Sequence, residues 1–209
     1  MVILIANQKG GVGKTTIAMQ FANYLAYYKQ KDLIVLDADF QGSFFERRED
    51  DIKTFPDNPV NYDVLRVEPE KVLPIIKEIE KEEKSIVLID FPGKLDDDNL
   101  ISILESADFL ICPFSYDYNT IESTITFAIV CQKLEVKAKT IFLPNRIKQS
   151  VKYETKQDVT TVFEKWGVIA PEISDRVAME RASTLVMNTE VLPIVNKSFN
   201  YLVDYMKIC

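Results

Sequence analysis

The feature that most constrains this chain is a glycine-rich loop at residues 8–16, between a predicted strand and a predicted helix. The apolar, partly β-branched residues 1–6 predict a buried strand. The spacing of apolar side chains over residues 17–26 predicts a helix with one apolar face. In this context, backbone N–H groups and the positive end of the helix dipole converge on an anion. The pattern therefore predicts a phosphate-binding loop.

Two lysines distinguish this loop. Lys14 can reach the β- and γ-phosphates of a nucleotide, and the Thr15 hydroxyl can bind Mg²⁺. The usual pattern has a glycine six residues before the lysine, but this chain has Gln8 there, followed by a second lysine, Lys9. The residues predicted to contact the phosphates are Lys9, Gly10, Gly11, Val12, Gly13, Lys14, Thr15 and Thr16.

Composition narrows the chemistry. The 209 residues are 47% hydrophobic, which is enough for one sizeable core, and a single domain over residues 1–209 is the simplest expectation. The chain has no histidine, so any hydrolysis must use carboxylates, Mg²⁺ and lysines. The formal net charge of −7 argues against nucleic-acid binding over the whole surface, although it is compatible with binding at a local basic patch.

Sequence features also predict a cytoplasmic protein. No apolar run reaches the 18 residues of a membrane span, so no membrane association is expected. The first predicted strand begins at the N-terminus, which leaves no room for a cleavable signal. Cys112, Cys131 and Cys209 are widely spaced, and buried or incidental thiols are favoured over a disulfide or metal site.

Strand-like and helix-like segments alternate along the chain. Further strands are predicted at residues 32–37, 62–67, 85–90, 108–113 and 139–144, with 62–67 nearer an edge. Helices are predicted at residues 69–84, 118–134, 153–166, 175–183 and 193–206, and residues 40–60 are predicted as a loop with room for a short helix. This alternation predicts an α/β fold, a doubly wound, mostly parallel sheet with helices on both faces.

Three aspartates fall where two predicted strands end. Asp37 and Asp39 end the second strand, and Asp90 ends the strand at residues 85–90. The carboxyl ends of parallel strands share one edge of the sheet, so these acids should meet the phosphates. There a carboxylate can hold Mg²⁺ or orient the attacking water. One aspartate alone would be better explained as a loop cap; three at two strand ends favour a functional site.

Residues 9–16 match the deviant phosphate loop of the ParA/MinD family of ATPases. Segments 36–41, 89–93, 107–113 and 173–178 also resemble that family, so the resemblance spans about residues 1–185. It implies a P-loop fold and an ATP-dependent sandwich dimer that hydrolyses ATP with Mg²⁺.

The resemblance also implies roles for individual residues. Lys9 would reach across the dimer to the partner's nucleotide, where a cation stabilises the charge of phosphoryl transfer. Asp39 would polarise the attacking water, and Mg²⁺ would be held by Thr15, Asp39 and Asp90. Asn145 and Arg146 resemble a pair that reads adenine in the MinD branch, but a loop asparagine at a strand end explains Asn145 equally well. Phe40 departs from the family, which has proline there and so a more constrained backbone.

The leading functional hypothesis is a ParA-type ATPase that drives partition or transfer of a plasmid or mobile element. A ParB-like or adaptor protein is the partner this resemblance implies. Non-specific DNA binding is a minority hypothesis that rests on a basic excess over residues 133–156. The alternatives are a nucleotide-switched adaptor and an ATP-dependent small-molecule ligase of related fold. A protein like the nitrogenase iron protein ranks low because its cluster needs grouped cysteines.

Overall fold

A parallel β-sheet forms the centre of the computed structural model, which describes residues 1–81, 86–93, 98–181 and 183–208. In these residues the sheet has seven strands: β1 (Val2–Ile5), β2 (Leu33–Asp37), β3 (Asp63–Arg66), β4 (Ile86–Asp90), β5 (Phe109–Phe114), β6 (Lys139–Pro144) and β7 (Gly167–Ile169). The helices are α1 (Lys14–Asn23, continued by a π-helical turn over Tyr24–Tyr28), α2 (Ser43–Thr54), α3 (Pro69–Ile79), α4 (Asp98–Glu105), α5 (Tyr118–Lys133), α6 (Lys156–Phe163), α7 (Val177–Glu180) and α8 (Leu192–Met206).

The strand order puts the phosphate loop in the middle of the sheet. The order is β3-β2-β4-β1-β5-β6-β7, and every pair is parallel. The loop after β1 therefore lies between the carboxyl ends of β4 and β5. In register, Asp90 stands opposite Ile5 on one side and Asp37 on the other. This order brings the predicted acids to the edge that carries the loop.

Helices cover both faces of the sheet, which confirms the doubly wound prediction. Ile3 and Ile5 point to a core shared with α1, α2 and α8, whereas Val2 and Leu4 point to a core shared with α3, α4, α5 and α6. This split follows from the two-residue period of a strand. The predicted C-terminal helix packs into the first core through Phe199, whose ring lies edge-on to that of Phe21, with 5.1 Å between centroids.

Two elements differ from the sequence prediction. Residues 43–54 form a full helix, α2, where mostly loop was predicted. The apolar signal there is weak because two of the three side chains that α2 buries are charged, Arg48 and Asp51. The strand β7 was not predicted, since three residues carry too little pattern. Its first residue must be glycine, because a Cβ there would lie 2.2 Å from the Thr140 carbonyl oxygen.

Other boundaries are close to those predicted. The strand β3 lies at a sheet edge, as predicted. The helix α3 ends at Ile79, before the end predicted at residue 84. Residues 82–85, which include the end of that predicted helix and the start of the next predicted strand, lie outside the described residues. Cys209 also lies outside them. The helices α6 and α7 are shorter than predicted. Over the described ranges, no helix is both long and apolar enough to cross a membrane.

Candidate nucleotide-binding site

The phosphate loop leads from β1 into α1 through two left-handed glycines. Gly11 has φ 79° and Gly13, at the N-terminus of α1, has φ 90°. A Cβ on Gly13 would lie 2.6 Å from Nδ2 of Asn145, so both backbone conformation and space require glycine there. The N-terminal turn of α1 thus points its free N–H groups into the loop, as an anion site needs.

Lys14 is buried within this loop. Its side chain is among the polar groups shielded from solvent, and Nζ donates a hydrogen bond to the Lys9 carbonyl oxygen at 3.3 Å. The segment after β4 also approaches it, since a Cβ on Gly93 would lie 3.3 Å from Nζ. The ammonium therefore stands between the loop and the end of β4.

Asp90 is a buried carboxylate beside this lysine. Its pKa is raised from 3.8 to about 7, chiefly by burial and in smaller part by the charges of Asp37 and Asp39. The Thr15 hydroxyl and the Lys14 ammonium oppose the shift. Within the described residues, neither Asp90 oxygen has a hydrogen-bond partner of ordinary geometry, although the Thr15 hydroxyl lies close. A buried carboxylate that is so weakly paired fits a cation ligand, because an unpaired buried charge is otherwise costly.

The other two aspartates differ in role. Asp37 is fully buried and accepts hydrogen bonds from the backbone N–H groups of Asp39 (3.3 Å) and Phe45 (2.9 Å), so it joins the end of β2 to the start of α2. Burial raises its pKa, and these hydrogen bonds oppose the rise. Asp39 is half-buried, and one of its oxygens accepts a hydrogen bond from the Gln41 N–H at 3.0 Å. Asp37 thus positions the segment on which Asp39 faces the site.

Arg66, at the end of β3, holds that segment from the other side. Its Nη2 donates to the Phe40 carbonyl oxygen at 3.0 Å. Its side chain also packs against Gly42, which has φ 63°, and a Cβ there would lie 2.8 Å from the guanidinium. Arg66 therefore holds the turn at residues 39–42, and glycine at 42 leaves room for its guanidinium.

Lys9 borders a cleft of about 520 Å³ on the solvent side of the loop. Its backbone N–H donates to Oδ1 of Asn7 at 3.0 Å. Across the cleft lie Tyr116, Lys148 and Tyr153, from the segments after β5 and β6. Half-buried Lys9 thus borders this cleft together with residues 10–12 of the loop.

Asn145 and Arg146 brace the phosphate loop. Asn145 is buried, and its Nδ2 donates to the Val12 carbonyl oxygen at 2.8 Å. Arg146 donates from Nη1 to the Gly11 carbonyl oxygen at 3.0 Å and lies 3.7 Å from a carboxylate oxygen of Asp175. Both residues also line a small cavity of about 80 Å³ beside Gly13. The adenine contact stays a prediction, and the structure adds a role in holding the loop.

Exposed apolar side chains surround this edge of the sheet. They are Phe40 (62% exposed), Tyr118 (77%), Val151 (46%) and Val177 (61%). They belong to the segments that follow β2, β5, β6 and β7, so four separate connections present them on the side that carries the loop. A set of apolar groups around a polar site is typical of a surface that another molecule covers.

Sequence reasoning did not identify two residues of the site. Asn7, the first residue after β1, makes three buried hydrogen bonds. Its only sequence signal is a polar residue directly after an apolar strand. Arg66 gives no signal, because it reaches the turn at 39–42 only through strand pairing.

Comparison with known proteins places the site in a family. Residues 3–185 match the model for the CobQ/CobB/MinD/ParA nucleotide-binding domain. A curated relative, the maintenance of carboxysome distribution protein A of Gloeobacter kilaueensis, is 31% identical over 112 residues. That match covers 54% of this chain and 48% of the relative, so it spans about half the length of each.

Solved structures show the same fold. An Asp-to-Ala variant of McdA from Cyanothece in complex with ATP has a TM-score of 0.79 at 17% identity, covering 99% of this chain and 96% of that one. A plasmid partition protein of Borrelia burgdorferi B31 bound to AMPPNP has a TM-score of 0.74 at 20% identity, covering 100% and 99%. The family match covers most of the chain and includes the phosphate loop and the acids described above. This chain therefore belongs to the CobQ/CobB/MinD/ParA family of nucleotide-binding proteins.

Proposed function

We propose that this protein binds ATP at the loop after β1 and hydrolyses it slowly as an ATP-dependent dimer. The observation that carries the proposal is the meeting of Lys14, Thr15 and Asp90 at one edge of the sheet, where Asp90 is buried and, within the described ranges, neither of its oxygens has a hydrogen bond of ordinary geometry. Lys14 would bind the β- and γ-phosphates, and Asp39 would orient the attacking water. Asp39 suits this role because it is half-buried and close to the end of β2.

Mg²⁺ is the cation that this site would take. The donors would be the Thr15 hydroxyl and the Asp90 carboxylate, with Asp39 nearby and phosphate oxygens from the nucleotide. These are the hard oxygen ligands that Mg²⁺ prefers. Within the described ranges, no group of three or more His, Cys, Asp or Glu side chains could hold a metal by itself. The nucleotide would therefore complete the site, which makes metal binding depend on ATP.

Two observations support a dimer as the active state. Lys9 is half-buried and borders the cleft beside residues 10–12, so a second copy that covers this cleft would bring its nucleotide near Lys9. The exposed apolar residues Phe40, Tyr118, Val151 and Val177 lie on the same side and would be covered by a second copy. A cation supplied across the interface stabilises the charge of the transferring phosphoryl group. Hydrolysis would then depend on assembly.

The cargo is inferred from similarity. Partition or transfer of a plasmid or mobile element is the role that the resemblance to ParA implies, and one solved neighbour is a plasmid partition protein. The curated relative maintains carboxysome distribution, which favours a protein assembly as a second candidate cargo. A ParB-like or adaptor protein would stimulate turnover in either case. Non-specific DNA is a weaker candidate partner because the net charge of the chain is −7, and its binding would require a local basic patch. A cytoplasmic location stays a prediction.

The proposal is tested by ATP turnover and dimerisation of the wild type and Lys9→Ala. We expect the wild type to dimerise with a non-hydrolysable ATP analogue and Mg²⁺, and Lys9→Ala to turn over ATP at least about tenfold more slowly. Lys53→Ala, an exposed lysine at the end of α2, is the matched control and should behave as the wild type. A protein that stays monomeric with the analogue, or a Lys9→Ala variant with normal turnover, would contradict the proposal.

Adding DNA and the product of the neighbouring gene separates the candidate functions. Stimulation by DNA that requires Lys9 supports partition, and stimulation by a protein partner without DNA supports the positioning of a protein assembly or an adaptor role. The ligase alternative needs a substrate pocket near the nucleotide, and the 520 Å³ cleft beside Lys9 has room for a small molecule. Release of ADP that depends on a metabolite would favour that alternative.

A further inference from the structure

A buried asparagine holds the start of the phosphate loop. Asn7 is 1% exposed and follows β1 directly. Its Oδ1 accepts a hydrogen bond from the Lys9 N–H at 3.0 Å, and its Nδ2 donates to the Pro113 carbonyl oxygen and to Oγ1 of Thr124, both at 2.9 Å. Both donors of the amide and its acceptor are thus in use. One side chain ties the loop to β5 and α5.

The backbone of Lys9 is held on both sides in this structure. Asn7 accepts from its N–H, and Nζ of Lys14 donates to its carbonyl oxygen. Binding of a nucleotide would turn the Lys14 ammonium toward the phosphates, so the Lys9 carbonyl would lose that donor. The hydrogen bond to Asn7 does not involve a phosphate ligand and would persist. Asn7 therefore becomes more important for the position of Lys9 once ATP is bound.

The same asparagine connects Lys9 with the first turn of α5. Oγ1 of Thr124 accepts from Asn7 and donates to the Thr120 carbonyl oxygen at 2.7 Å. The Thr120 N–H in turn donates to Oδ1 of Asp117, the N-cap of α5, at 3.0 Å. Within this turn lies Tyr118, one of the exposed apolar residues of the proposed dimer surface. A continuous chain of hydrogen bonds thus joins the turn that carries Tyr118 to the backbone of Lys9.

We propose that Asn7 is a positioning residue that aims Lys9 at the nucleotide of the second subunit. This rests on the action of Lys9 across the dimer proposed above. Replacing Asn7 by alanine should lower the single-turnover rate about 10- to 100-fold, since a misplacement of about 1 Å can cost that much. ATP affinity should change by less than about threefold, because the phosphate contacts of residues 10–16 remain.

A double-mutant cycle tests this inference. Single-turnover hydrolysis of radiolabelled ATP is measured for the wild type, Asn7→Ala, Lys9→Ala and the double variant, because this assay detects very slow rates. We expect Asn7→Ala to slow the wild type but to leave the rate of Lys9→Ala unchanged, since a positioning residue has no effect once its target is removed. An equal slowing in both backgrounds, or an ATP affinity that falls as much as the rate, would overturn the inference.

Two further comparisons guard against a general loss of structure. Thr124→Val removes the hydroxyl that accepts a hydrogen bond from Asn7 and should slow hydrolysis severalfold. Thr124→Ser keeps the hydroxyl, and its rate of hydrolysis should be close to that of the wild type. Asn23→Ala removes a second buried asparagine, which makes three hydrogen bonds at the far end of α1. It should lower thermal stability as Asn7→Ala does but leave the rate unchanged, and an equal loss of rate in Asn23→Ala would refute the role of Asn7. Normal turnover in Lys9→Ala would refute the dimer mechanism itself, whatever Asn7 does.

Discussion

Removal of the charge of Asp90 should stabilise the nucleotide-free protein, and the gain should depend on pH. The pKa of Asp90 is raised from 3.8 to about 7, chiefly by burial. This rise of about three pH units, at about 1.4 kcal/mol each, corresponds to about 4 kcal/mol of folding free energy lost by the ionised group. Asp90→Asn keeps the shape of the side chain and removes that cost.

The direction of this pH dependence follows from the number of protons that Asp90 binds in the folded and unfolded states. Between pH 3.8 and about 7 the folded protein keeps a proton on Asp90 that the unfolded chain releases, so the wild type loses stability as pH rises through this window. Above pH 7 both states are ionised and the full cost is present. The advantage of Asp90→Asn should therefore be small near pH 4 and grow by about 2–3 kcal/mol between pH 5 and pH 8.

Urea unfolding without nucleotide and with a chelator, at pH 5 and pH 8, measures this difference. Comparing the two pH values cancels any fixed cost of the new amide, such as an unsatisfied N–H. Asp57→Asn removes an exposed carboxylate of equal charge and is the control. An Asp90→Asn advantage that is equal at pH 5 and pH 8 would refute the reasoning. The same variant should lose the stabilisation that Mg²⁺ adds to ATP, because it lacks the proposed metal ligand.

Three further predictions follow from contacts in the structure. Gly13→Ala should destabilise the protein by at least about 2 kcal/mol and abolish ATP binding, because the new Cβ would lie 2.6 Å from Nδ2 of Asn145 and the φ of residue 13 is 90°. Thermal unfolding measures the loss of stability, and nucleotide titration measures the loss of binding. Arg48→Ala should cost about 2–4 kcal/mol, because it removes two buried hydrogen bonds to the carbonyl oxygens of Tyr62 and Thr184, of which the Thr184 oxygen keeps the Tyr62 hydroxyl as donor. The half-exposed Arg47→Ala should cost under about 1 kcal/mol, and equal losses in chemical denaturation would contradict this. Asp117→Ala removes the N-cap of α5 and should lower the free energy of unfolding by about 1 kcal/mol. An unchanged melting temperature would contradict this prediction.

Much of the fold could be predicted because its signals are local. The strand, glycine turn and helix at the N-terminus lie within one short stretch, and the buried parallel strands are continuous apolar runs up to their last residue. The acids were placed at the site by a rule of parallel sheets rather than by knowledge of the strand order. The helix α2 and the strand β7 were missed for opposite reasons. One buries charged groups, and the other is too short to show a period.

The sequence by itself determined that this chain has a phosphate loop with a second lysine and acids at two strand ends. Only the tertiary structure separated the roles of these acids, because Asp37 accepts a hydrogen bond from the Phe45 N–H in α2, whereas the Asp90 oxygens have no hydrogen bond of ordinary geometry in the described part of the chain. It also brought Asn145 against Gly13 and Asn7 against Thr124, pairs more than 100 residues apart in the chain. Such contacts depend on strand order and helix packing, which no local pattern encodes. The chemistry of the site is therefore readable from the sequence, whereas the positioning of its groups is a property of the folded sheet.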